Sequence, residues 1–112
     1  MAKYKVKITR QARAQLQEIR DYIATTFLEL GTARRMVQLL RAEITSLADM
    51  PERIKLIDEE PWRSHGFRKI RVKNYYVYFW INEDKKQVQV VAVIYVKRKQ
   101  ARQLEKMILD DE

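Results

Sequence analysis

Apolar and polar positions alternate from Lys3 to Thr9, with Tyr4, Val6 and Ile8 set against Lys3, Lys5 and Lys7. A period of two is that of a half-buried strand, and exposed lysines suit an edge, where they discourage pairing with other chains. The period then changes. Ala12, Leu16, Ile19, Ile23 and Phe27 recur at steps of four, three, four and four, an apolar stripe along a helix that Thr9 can cap. Gly31 is expected to end that helix in the left-handed conformation, and Thr32 to start another. The second stripe is Met36, Val37, Leu40, Ile44 and Leu47, and Pro51 stops it. So short a link between two long helices predicts an antiparallel hairpin laid on one face of a sheet.

From Phe67 to Lys99 the chain reads as three strands joined by two turns, dense in Val, Ile, Tyr, Phe and Trp. Lys73 and Asn74 form the first turn, where Asn tolerates the left-handed backbone of a tight hairpin; residues 82 to 86 form the second. Residues 51 to 66 are the one long connection and carry an acidic cluster, Asp58-Glu59-Glu60. Ala101, Leu104 and Ile108 return to helical spacing. The expected fold class is therefore α+β, one domain over residues 1–112. Its order is β-α-α-β-β-β-α, with an antiparallel sheet and the helical hairpin on one face.

The period of two also sorts charge. Phe67, Lys69 and Arg71 fall on one face of the first meander strand, and Arg68, Ile70 and Val72 on the other. The next strand carries Tyr76, Tyr78 and Trp80 on one side and Tyr75, Val77, Phe79 and Ile81 on the other. Such a strand belongs in the middle of the sheet. No acidic residue occurs between Pro61 and Asn82, so a basic, aromatic-rich face away from the helices is a candidate site for a polyanion.

The whole chain repeats that bias: net charge +8 and pI near 9.8 point to nucleic acid, anionic lipid or an acidic protein partner. Without cysteine, disulfides and thiolate metal sites are excluded. One histidine, His65 in a loop, supports no transition-metal cluster, and two isolated glycines make no phosphate-cradling loop. No metal or cofactor is expected. No apolar run reaches the roughly 18 residues of a membrane span. With no apolar leader at the start, residence in the cytoplasm is expected.

The element order resembles the RelE/ParE superfamily of toxins from type II toxin–antitoxin modules. So do two phrases, Gly66-Phe-Arg-Lys-Ile-Arg-Val-Lys-Asn-Tyr-Tyr-Val-Tyr-Phe and Val91-Ala-Val-Ile-Tyr-Val-Lys-Arg-Lys. The likeness spans almost the whole chain. It implies growth inhibition, plasmid stabilisation and a cognate antitoxin that wraps the toxin. The family holds two activities. RelE-like members are endoribonucleases that cut ribosome-bound messenger RNA without metal, and ParE-like members inhibit DNA gyrase and are not nucleases. The messenger endonuclease is the first expectation, the gyrase inhibitor the alternative, and an inactive or RNA-binding relative the third.

Cleavage by the 2′-oxygen needs a base, a cation for the phosphorane charge and an acid for the leaving oxygen. In the resemblance, Lys69 and Arg71 match the basic pair set against the phosphate, and Arg98 the arginine past the last strand. Tyr95 lies near where related nucleases place a histidine. The central-strand arginine of the nucleases falls at Tyr76 here, and their C-terminal tyrosine at Leu104. A tyrosine supplies no fixed charge near neutral pH. Either another constellation acts, Arg68, Tyr76, Tyr95 and Arg98, or the chain is ParE-like. Each residue also has a plainer reading: Lys69 and Arg71 as a solvated face, Arg68 in an ion pair with Asp21, the tyrosines as packing.

Overall fold

The computed structural model describes residues 3–106. Its elements are β1 (Lys5–Ile8), α1 (Arg10–Phe27), α2 (Leu30–Thr45), β2 (Arg68–Val72), β3 (Tyr75–Asn82), β4 (Gln87–Tyr95) and α3 (Gln100–Glu105). The expected order holds. Two 3-10 turns, Ser46–Ala48 and Pro51–Arg53, follow α2, so the helix ends before Pro51, which opens the second turn. Thr9 caps α1, its hydroxyl accepting from the Ala12 amide at 3.3 Å.

The break between the helices falls earlier than the glycine. Leu28, at φ 52°, takes the left-handed position, Glu29 precedes α2, and Gly31 lies inside its first turn. Likewise the first hairpin places its positive φ, 54°, at Lys73. In both links the side chain of the residue that bends points into solvent, where a bulky group meets little. The side chain of Phe27, and Ile108, expected on the apolar stripes, lie outside the described residues.

The sheet order is β1-β4-β3-β2. β2, β3 and β4 form the expected antiparallel meander, with β3 inside and β1 at an edge. β1, however, joins β4 in parallel, Lys5 opposite Gln87 and Ile8 opposite Val90, so the sheet is mixed. The pairing follows from the hairpin: two antiparallel helices return the chain to the end of the sheet where it began, and the three later strands alternate from there.

A register shift between Tyr78 and Phe79 leaves Val91 as an extra residue in β4. Beyond Ile8, β1 no longer covers β4, and α1 supplies the missing partners. Gln11 Nε2 donates to the Val91 carbonyl at 3.0 Å, and the Val93 amide donates to Gln15 Oε1 at 2.7 Å. Two side chains thus continue the ladder where the strand stops.

Two cores result. Beneath the helices, Ala12, Leu16, Leu40, Ile44 and Leu47 pack on Val72, Val77, Phe79, Val88, Val90 and Val93. On the other side, Ile57 and Trp62 from the long connection and Leu104 from α3 cover Phe67, Tyr78, Val91, Ala92 and Ile94. The second face is therefore only partly open. Its apolar residues demanded a cover that the charge pattern of β2 alone does not reveal.

Candidate functional site

The open part of that second face is built by β2 and β3. In their register Lys69 stands opposite Tyr78 and Arg71 opposite Tyr76, so all four share one side. The Lys69 ammonium lies 4.2 Å from the centre of the Tyr76 ring and 5.8 Å from that of Tyr78, a cation held against two aromatic faces. Tyr76 in turn meets Tyr78 edge to face at 6.3 Å. Arg71 is exposed at the hairpin end, its Nε donating to the Lys73 carbonyl at 2.9 Å.

Behind this surface a polar link fixes the exit from β4. The Tyr78 hydroxyl donates to Gln100 Oε1 at 2.9 Å, and Gln100 Nε2 donates to the Tyr95 and Arg98 carbonyls at 2.8 Å each. One amide therefore shapes the turn that carries Lys97, Arg98 and Lys99. The Val96 amide donates to the Asn74 carbonyl at 2.9 Å, which places that turn beside the β2–β3 hairpin. Arg71, Lys73 and the exposed Arg98 thus crowd one end of the sheet.

The other candidates lie elsewhere. Tyr95 points to the helical side, its ring 5.9 Å from that of Tyr75, while Tyr76 faces away. Arg68 is also on the helical side, at the far end of β2 from Arg71. It donates to the Ile54 carbonyl, and to that of Glu52 at 3.4 Å, tying the long connection to the sheet. The ion pair expected with Asp21 does not form: Asp21 accepts from Gln17 instead, at 3.1 Å. So Lys69, Arg71 and Tyr76 are brought together and Arg98 is near their end, whereas Arg68 and Tyr95 are on the opposite face. Leu104 is buried in the second core. Gln100, which organises the turn, carried no signal in the sequence beyond its place at a helix start. No group of three His, Cys, Asp or Glu among the described residues can hold a metal ion, and no described helix is long and apolar enough to cross a membrane.

Burial holds the Tyr78 phenol far above its ordinary range, with Glu59 and Tyr76 adding to it. Tyr75 moves the same way, from burial and from Tyr95 and Tyr22. The folded protein therefore keeps protons that the unfolded chain releases above about pH 10. Below that pH these groups leave stability unchanged; above it stability falls, for Tyr78 by up to about 1.4 kcal/mol per pH unit. Urea unfolding across the alkaline range is expected to show this slope, and Tyr78→Phe to flatten it. An equal slope in the variant would assign the loss to other groups.

Comparison with known proteins finds likenesses among toxins. The family model described as ParE toxin of type II toxin–antitoxin system, parDE, matches residues 6–100. No curated protein matches the chain. Among solved structures, the chromosomal ParDE toxin–antitoxin system of P. aeruginosa superposes with a TM-score of 0.71 at 21% identity, over 84% of this chain and 97% of that one. The RelBE2 toxin–antitoxin complex of Mycobacterium tuberculosis gives 0.54 at 20%, over 84% and 99%. A mutant of the E. coli toxin RelE in the free state gives 0.59 at 16%, over 95% and 99%. At these identities the three structures show a shared fold.

Proposed function

Because the chain belongs to the ParE toxin family of type II toxin–antitoxin systems, we propose that it acts as a ParE-like inhibitor that binds DNA gyrase and cuts no RNA. The observation that carries this reading is the division of the candidate residues between two faces. Tyr76 holds the central-strand position, with Lys69 folded on its ring at 4.2 Å, while Arg68 and Tyr95 face the helices. A transition state with phosphorane charge needs fixed cations converging on one point. Here one cation is spent on an aromatic stack and another on main-chain carbonyls. A binding inhibitor has no such requirement. Its cognate antitoxin is expected to neutralise the basic surface with an acidic or amphipathic segment.

Lys69, Arg71 and Tyr76 do share one side, which favours a second reading, cleavage of ribosome-bound messenger. One experiment separates the two. Purified toxin added to gyrase and relaxed plasmid is expected to block supercoiling. Unimpaired supercoiling at large molar excess, with new messenger 5′ ends inside codons on primer extension, would overturn the first reading for the second.

A further inference from the structure

The helical hairpin carries a second cationic surface, apart from the open face of the sheet. A groove of about 320 Å3 runs along the outer seam of α1 and α2, lined by Arg13, Gln17 and Arg20 from one helix and Arg34, Gln38 and Arg41 from the other. Both triplets have the spacing four then three, so each helix presents Arg, Gln, Arg along one face. Leu16 and Val37 form its floor. We propose that this groove binds the phosphate backbones of duplex DNA.

The lining contains four guanidinium groups and no carboxylate. Arg13 is partly engaged, donating to the Ile8 carbonyl at 3.0 Å. Among the described residues, the side chains of Arg20, Arg34 and Arg41 have neither a carboxylate nor a carbonyl partner. Asp21 stands at the rim, accepting from Gln17. Unpaired guanidinium forks match phosphate oxygens in charge and in bidentate geometry.

The shape argues for a double helix. Seven residues of helix set the two arginines of each row ~10.5 Å apart, and packed helices set the rows ~8–10 Å apart. Two parallel rows face two strands; a single strand offers one. B-form DNA brings two phosphate rows together across its narrow minor groove. An acidic helical peptide would need an apolar stripe to receive its apolar face. The floor offers little of one, since Leu16 is only 1% exposed and Val37 is half-buried.

The test is fluorescence anisotropy of the full chain with a labelled random-sequence DNA duplex over a range of salt. It uses no gyrase, so its outcome is separate from the supercoiling result. Substituting Arg20→Gln, Arg34→Gln and Arg41→Gln together is expected to weaken binding at least ~10-fold at low salt and to flatten the log–log salt slope by ~2–3, at about 0.9 per phosphate contact. The corresponding triple Arg→Lys variant is expected to keep the slope. Should the Gln variant fail to fold, Arg34→Gln alone and the Lys variant carry the measurement. An unchanged slope would overturn the proposal, as would an equal loss from Lys69→Gln with Arg71→Gln. Tighter binding of polyglutamate than of DNA would make the ligand an acidic protein, and tighter binding of duplex RNA would reject DNA.

Discussion

Phe79→Ala is expected to lower folding stability by about 3–5 kcal/mol, the cost of emptying a large aromatic site in a core that collapses only partly. Phe79 is fully buried under the helical hairpin on the central strand, opposite Arg68 on one side and Val90 on the other. It also stands at the register shift between β3 and β4. Urea unfolding of the purified toxin measures the change through the midpoint at constant slope. A loss below about 1 kcal/mol would mean that α1 and α2 settle onto the sheet far more readily than their packing indicates. Natural domains hold only about 5–15 kcal/mol, so toxicity in cells is expected to fall with the amount of folded protein and the site itself to stay intact.

Arg68→Met is the second large effect and separates a structural arginine from a functional one. Removing a partly buried guanidinium that donates to the Ile54 and Glu52 carbonyls is expected to cost about 1.5–3 kcal/mol, the range for hydrogen bonds from charged groups. Methionine keeps the apolar stem, so the loss reports the hydrogen bonds. Supercoiling inhibition per folded molecule is expected to match that of the unaltered toxin. An undiminished unfolding midpoint together with lost inhibition would place Arg68 in the working surface instead.

Much of the architecture was legible because the periods of two and 3.6 were unbroken: Lys3 to Thr9, the stripe through Leu16 and Ile23, and the tyrosine-rich strand all fell where expected. The links were harder. Leu28 and Lys73 bend the chain beside residues better suited to it, since two well-packed helices and a fixed register determine the turn more strongly than local preference does. The parallel seat of β1 could not be read from alternation, which is the same for either direction of pairing.

The site was legible only by face. Alternation sorted Lys69 with Arg71, and Tyr76 with Tyr78, each within its own strand, but it says nothing of register or of ends, and Arg68 and Arg71 stand at opposite ends of one strand. Ionic expectations failed for the same reason: Arg68 found main-chain carbonyls within reach before any carboxylate. The arginines of the hairpin groove looked like two unrelated solvated faces until the helices were set side by side.

The seating of Lys5 beside Gln87 has a consequence for synthesis. A chain still being made can wind its helices early, yet its first strand has no strand to pair with until residue 90 has emerged. Closing so wide a span is slow. A product that stops short of β4 therefore leaves β1 without a partner strand, and the poison is armed only after the last strand has been made.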